Sequence, residues 1–150
     1  MFQRILVVCT GNICRSPMAE ALLKEAFADQ GVEIASAGLS ALSGHPADET
    51  AQALMQEQGL DISGHRASQI TPDAVRWADL IIVMEQDQKS ALEAMAPAAR
   101  GKVYALGHWG GYDIADPYRQ DRAAFNAALQ LIRQGVGEWQ AKIGTQERSR

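Results

Sequence analysis

Cys9 and Arg15 stand six positions apart in the stretch Val7 to Pro17, "VVCTGNICRSP", with Ser16 next to the arginine. A loop between the end of a buried strand and a helix N-terminus points several backbone N–H groups into one small space, and the helix dipole makes that space attractive to anions. The same field favours a thiolate at Cys9, making it a nucleophile at neutral pH. Arg15, permanently charged and fork-shaped, can hold two oxygens of a tetrahedral oxyanion at once. The Ser16 hydroxyl is close enough in sequence to donate to the sulfur. Together they point to attack of sulfur on phosphorus, with Arg15 stabilising the equatorial oxygens and a phosphocysteine as intermediate. Thr10, Gly11, Asn12, Ile13 and Cys14 form the rest of the loop, and Asn12 suits a left-handed backbone where a loop curls round an anion. The loop matches neither the Gly-x4-Gly-Lys-Ser/Thr nor the Gly-x-Gly-x-x-Gly pattern of nucleotide sites.

Such a displacement needs an acid for its leaving group. Asp116 in "ADPYR" is the best candidate, because Pro117 restricts its backbone to an extended shape and so fixes where the carboxyl points. It would protonate the leaving oxygen and then accept a proton from the water that cleaves phosphocysteine. Asp113 is less constrained. Taken singly, a free cysteine is ordinarily a small buried hydrophobe and an arginine near a helix start a solvated charge. Their spacing, the strand before them and the later Asp-Pro reverse that judgement.

These residues need a scaffold, and its elements are readable. Ile5 to Val8 is a continuous apolar run, as expected of a strand buried on both faces of a parallel sheet. Ser16 as N-cap, Pro17 at the first helical position and Glu20 in the first turn then open a helix through Leu22, Leu23, Ala26 and Phe27. "VEIASAG", "ADLIIVM" and "KVYAL" are further strands. Helices are expected from Pro46 to Gln58, stopped by Gly59, in a short turn begun by Pro72, from Gln86 to Met95, ended by Pro97, and from Phe125 to Ile143. "GHWGGYDIADPYRQD" reads as a loop, packed through Trp109 and Tyr112, and the tail from about residue 144 as frayed. Trp77 and Trp139 suit core-facing or half-buried positions. Strands alternating with helices imply an α/β fold with a parallel sheet covered on both faces, whose ligands bind beyond the carboxyl ends of the strands.

The chain has 150 residues, 47% hydrophobic and 21% charged, which fits one globular domain over 1–150. A net charge of -4 and a pI near 5.3 argue against bulk attraction to nucleic acid or an anionic membrane. The apolar run at the start is too short for a signal-peptide core or a membrane span, so a cytoplasmic location is expected. Two cysteines in one short loop cannot staple a fold. His45, His65 and His108 show no ligand-pair spacing with them, so neither a metal nor a cofactor is assigned.

On these motifs the sequence resembles the low-molecular-weight protein tyrosine phosphatases. "CTGNICRSPMAEALL" is similar to that family's phosphate loop almost residue for residue, "DPY" to its acid loop, and the likeness runs from about Ile5 to Ile143. The resemblance implies a four-stranded parallel sheet flanked by helices, with Cys9 as nucleophile, Arg15 as phosphate binder and Asp116 as general acid. It also implies that Asn12, Ser16, Ser36 and His65 form a hydrogen-bonded network holding the loop. Cys14 matches a second loop cysteine that can form a disulfide with Cys9 and shield it from irreversible oxidation.

Three branches share this loop. Arsenate reductases pass oxidation to further cysteines, and none follows Cys14. Arginine phosphatases carry threonine at the place of Ile13. An isoleucine there sets an apolar wall against a phenyl ring and favours phosphotyrosine. Tyr118 is placed to stack on that ring, and the variable loop "LSALSG" offers Leu42. "SAGLSALSGHPAD" with "GKVYALGHWGGYDIADPYR" is most similar to the bacterial enzymes that accompany tyrosine autokinases of capsule and exopolysaccharide export. The expected partner is therefore a phosphotyrosine protein such as a kinase with a tyrosine-rich tail. Rival readings are a phosphoarginine phosphatase, a silent phosphotyrosine-binding module and a redox sensor built on Cys9 and Cys14.

Overall fold

A strand made only of Ile, Leu and Val exposes apolar side chains on both faces and must be covered twice. The computed structural model describes residues 2–148 and meets that demand with four strands and five α-helices: β1 (Arg4–Cys9), α1 (Arg15–Ala26), β2 (Glu33–Gly38), α2 (Glu49–Glu57), α3 (Pro72–Trp77), β3 (Leu80–Val83), α4 (Gln86–Met95), β4 (Val103–Ala105) and α5 (Arg122–Arg148). A 3-10 turn, Pro97–Ala99, follows α4. The strands are all parallel in the order β2-β1-β3-β4, with Ile5 opposite Ile34 on one side and Leu80 on the other. The expected four-stranded α/β architecture is thus present.

Alternation along each strand sorts the core into two layers. Ile5, Val7, Cys9, Leu80 and Ile82 face the layer built with α1, α2 and α5. Leu6, Val8, Ile81, Val83 and Val103 face the layer built with α3 and α4. On α5, Gly135 lets the helix settle against the end of β4: a Cβ there would sit 2.7 Å from Leu106 Cγ. Trp139 Nε1 donates to the Leu106 carbonyl at 3.0 Å, so a core-facing indole also satisfies the backbone after β4. Trp77 is half-buried, as its position suggested.

The chain leaves β1 toward β2 and β3 toward β4 in opposite directions, so the sheet order reverses between β1 and β3. The crevice outside the carboxyl ends of those two strands is where an open α/β sheet binds ligands. Cys9 is the last residue of β1, and Met84 and Glu85 follow β3 at the same end.

Several element boundaries differ from expectation. Helix α1 starts at Arg15, so Ser16 and Pro17 are its second and third residues, and its N-cap residue Cys14 makes no side-chain cap hydrogen bond. Pro17 is tolerated there because first-turn N–H groups have no intrahelical partner. Glu20 consequently lies beyond the first turn. Helix α2 begins at Glu49 rather than Pro46, capped by Asp48, whose side chain accepts from Thr50 N at 2.8 Å. Helix α5 starts three residues earlier than expected and continues as helical backbone to Arg148 where fraying was expected; residues 149 and 150 lie outside the described residues. Among the described residues no helix is long and apolar enough to cross a membrane.

Candidate active site

The loop after β1 is shaped by its carbonyl groups. Cys9 O accepts from Leu39 N (3.0 Å), Thr10 O from Ser40 N (3.0 Å), Gly11 O from Leu42 N (3.1 Å) and Ile13 O from Asp48 N (2.8 Å). Asn12 O accepts from His65 Nε2 at 2.7 Å, which fixes the proton of that nitrogen. Five successive carbonyls are therefore turned outward into the surrounding protein. In a planar trans peptide the N–H points opposite to the preceding C=O, so the N–H groups of Thr10 to Cys14 are directed to the concave side. Asn12 adopts φ 60, the left-handed turn expected of it. Gly38 of "SAG" allows the close approach, since a Cβ there would stand 2.6 Å from Thr10 O.

A chain of side chains then leads to the sulfur. Asn12 Oδ1 accepts from Ser68 N (2.9 Å), which obliges Nδ2 to face the serines, donating to Ser16 Oγ (2.7 Å) and Ser36 Oγ (3.1 Å). Ser36 donates its own proton to Glu20 Oε1 at 2.6 Å. With its oxygen already accepting from Asn12, the Ser16 hydroxyl is free to direct its proton at Cys9 Sγ, 3.0 Å away. Of the two uses the sequence offers for this hydroxyl, helix cap and donor to the sulfur, the structure keeps the second, because Ser16 lies inside α1. Lys24 and His65 close the outer end, at 2.8 Å and 3.9 Å from the Glu20 carboxylate.

Arg15 is only 2% exposed. Its Nη1 donates to Glu85 Oε1 (2.9 Å) and to the Ile114 carbonyl (2.7 Å), and Nη2 lies 3.6 Å from Asp116 Oδ2. Its Nε is buried and has no hydrogen-bond partner among the described residues. Gln88 holds the other rim: its Oε1 accepts from Met84 N and Glu85 N, while its Nε2 donates to Thr10 Oγ1 at 3.2 Å. Glu85 and Gln88 form the capping box of α4, so one helix start grips both ends of the loop.

Asp116 and Asp113 part company. Asp113 Oδ1 accepts from Gln86 N outside the pocket. The Asp116 side chain, 44% exposed, reaches the pocket with Oδ1 accepting from Tyr118 N at 3.0 Å. Ile13, Leu42 and Tyr118 line the walls above Cys9 and Arg15, and Ser40 and Arg119 stand on the rim. Trp109 and Tyr112 pack the preceding segment: Trp109 lies edge-on to His108 and Trp139, and the Tyr112 hydroxyl donates to Glu138 Oε1 at 3.2 Å.

Cys9 and Cys14 are both buried free thiols. Burial pushes the Cys14 thiol far above the ordinary range, with the carboxylates of Asp48 and Asp116 and the Cys9 sulfur adding and Arg15 opposing. Cys14 is therefore protonated at neutral pH.

All the expected site residues meet at this one end of the sheet. The sequence spacing gives no site role to Glu85, Gln88, Ser40, Ser68 and Arg119, and gives Glu20 only a place in a helix. The Glu-x-x-Gln box at the start of α4 was the one available signal.

The comparisons with known proteins agree with this geometry. The family profile described as low molecular weight phosphotyrosine protein phosphatase matches residues 4–149. A relative from Ralstonia nicotianae, named probable low molecular weight protein-tyrosine-phosphatase EpsP, is 50% identical over 143 residues, 95% of this chain and 97% of that one. The crystal structure of the tyrosine phosphatase Wzb from Escherichia coli K30 with sulphate superposes with a TM-score of 0.91 at 42% identity, covering 95% and 99% of the two chains. The YwlE arginine phosphatase from Geobacillus stearothermophilus reaches 0.90 at 34% identity, covering 97% and 96%. On that breadth of likeness the chain belongs to the low molecular weight phosphotyrosine protein phosphatases.

Proposed function

We propose that the chain hydrolyses phosphotyrosine in proteins through a phosphocysteine intermediate, acting in the cytoplasm on the tyrosine-rich tail of an autokinase of exopolysaccharide export. The observation that carries the reading is Arg15, a buried guanidinium whose Nε has no partner among the described residues, beside a loop that turns five carbonyls outward into the surrounding protein. An unpaired buried donor costs about 1–3 kcal/mol, more when charged, and a tetrahedral oxyanion in the loop removes that cost.

The phosphate monoester enters with its oxygens on Arg15 and the N–H groups of residues 10–14. The Cys9 thiolate, accepting from the Ser16 hydroxyl, attacks phosphorus in line with the phenolic oxygen. The developing charge on the equatorial oxygens meets donors already in place, so little reorganisation is needed. Asp116 gives its proton to the departing phenolate, then takes one from the water that attacks phosphorus and releases phosphate and Cys9. Ile13, Leu42 and Tyr118 form an apolar slot for the ring, and a stacked ring on Tyr118 adds about 0.5–1.5 kcal/mol beyond area burial. The sequence likeness to exopolysaccharide-associated enzymes supports the kinase tail as substrate. Cys14 acts as resolving thiol: peroxide oxidises Cys9 to the sulfenic acid with loss of hydroxide. The Cys14 thiol then condenses with it, releasing water and leaving a disulfide that a thiol reductant reopens.

The test is phosphate release from matched phosphotyrosine, phosphoserine and phosphoarginine peptides. Wild type should turn over the phosphotyrosine peptide, Cys9→Ser should have no turnover, and Asp116→Ala should lose about 10²–10⁴-fold in kcat. Preference for phosphoarginine would overturn the phosphotyrosine assignment. Binding without turnover by the wild type would make the protein a recognition module.

A further inference from the structure

Arg119 occupies a place that no step above uses. It stands exposed on the rim of the pocket, while Cys9 and Arg15 lie buried at the floor, each 2% exposed. The hydrogen bond from Gln120 N to Pro117 O, 2.9 Å, closes a turn in which Arg119 is the third residue, with φ 64. That position of a turn favours glycine or asparagine, because a Cβ is strained at positive φ. Arginine is held there by its neighbours: Gln120 Nε2 donates to the Asp116 carbonyl at 3.0 Å and Tyr118 N to the Asp116 carboxylate. The guanidinium lies over the Tyr118 ring, 5.2 Å from its centroid, which directs it along the wall that faces substrate.

Its charge is also left over. Arg4, Arg76 and Arg122 pair with Glu33, Asp73 and Glu57, whereas Arg119, like Arg66, Arg100 and Arg133, pairs with no carboxylate among the described residues, and of these four only Arg119 lines the pocket. Of the residues lining the pocket only Arg15 and Arg119 are cationic, and Arg15 is already engaged by Glu85 and Asp116. The whole chain carries a net charge of -4, so a substrate with anionic residues would meet overall repulsion, which Arg119 offsets at the mouth of the pocket.

We propose that Arg119 is a specificity determinant that recognises an anionic side chain next to the phosphotyrosine in the substrate polypeptide. This rests on the phosphotyrosine reading above. The group is either a carboxylate or a second phosphate, both of which match a guanidinium fork.

The experiment compares kcat/KM, counted per phosphotyrosine, for matched phosphotyrosine peptides flanked by Asp and Glu or by Asn and Gln, and for peptides with a neighbouring phosphotyrosine or tyrosine. Wild type should prefer the anionic member about threefold, the scale of an exposed ion pair, and the preference should shrink with added salt. Arg119→Gln and Arg119→Gly should bring the ratio to about one, the glycine variant doing so with the turn relaxed, while Arg119→Lys should keep most of it. A preference confined to carboxylates or to the second phosphate identifies the group and supports the proposal either way. A wild-type ratio of one in both pairs, or a ratio that survives Arg119→Gln, overturns it with the phosphotyrosine reading intact. No turnover of any phosphotyrosine peptide overturns both.

Discussion

Ser16 illustrates how one side chain can have two uses and only one structure. A serine before a proline is a good helix cap, yet here the hydroxyl lies inside the helix, accepts from Asn12 and faces Cys9 Sγ at 3.0 Å. Each neighbour in the chain has its polarity fixed by the one before: Glu20 takes the Ser36 proton, Ser68 N holds Asn12 Oδ1, and Asn12 Nδ2 fills the Ser16 acceptor. The result is a donor aimed at sulfur without rotational choice. A hydrogen bond to a charged group is worth about 1.5–3 kcal/mol, so Ser16→Ala should slow turnover by roughly 10–100-fold with little change in KM. Steady-state kinetics on a phosphotyrosine peptide decide it. A loss under threefold would mean that the network orders the loop but does not act on the nucleophile.

Elements carry the site through long-range pairs. Helix α4 begins with Glu85 against Arg15 and Gln88 against Thr10, and the segment after β4 is fastened to α5 by Tyr112, whose hydroxyl lies 3.2 Å from Glu138 Oε1 and 3.3 Å from the Leu131 carbonyl. Burial, then the nearby Glu138 carboxylate, raises the Tyr112 hydroxyl from its ordinary value of 10.0 to about 12. The folded state therefore keeps this proton over a range in which the unfolded chain has lost it. The contribution to stability is complete below pH 10.0 and is lost as pH rises toward about 12. Urea midpoints at pH 9 and pH 11 should fall more steeply in wild type than in Tyr112→Phe, and parallel losses would remove Tyr112 as the fastening. The same pattern explains what was legible. β1, β3 and α4 follow from local runs such as "ILVV", "LIIV" and the span from Gln86 to Pro97, because composition and punctuation decide them. Arg15–Glu85 and Ser36–Glu20 join residues distant in sequence, and only the sheet order β2-β1-β3-β4 brings them together. Cys9, Arg15 and Asp116 were visible because their chemistry is unusual. Gln88 and Glu85 look like ordinary cap residues until the helix is placed beside the loop.

At the scale of the molecule, the crevice between β1 and β3 is where a fold that buries everything else keeps a charge. Arg15 is as buried as the core strands, yet its Nε lacks a partner among the described residues, and its other nitrogens reach Glu85, Ile114 and Asp116. An anion that binds the folded state alone stabilises it by RT ln(1 + [L]/Kd), about 2.7 kcal/mol at a hundredfold excess over Kd. For a chain of this size that corresponds to a rise of about 5–10 °C in Tm. Inorganic phosphate should produce that rise in wild type, measured by calorimetry, and none in Arg15→Met. The methionine removes an unpaired buried donor and a buried charge, which stabilises, but leaves the Ile114 carbonyl and the Glu85 carboxylate without their partner, which destabilises. These opposing terms should leave the phosphate-free Tm within about 5 °C of wild type. A collapse of the phosphate-free Tm would show Arg15 to be a strut between α1 and the acid loop, whereas loss of the phosphate response alone marks it as the residue that makes the crevice an anion site.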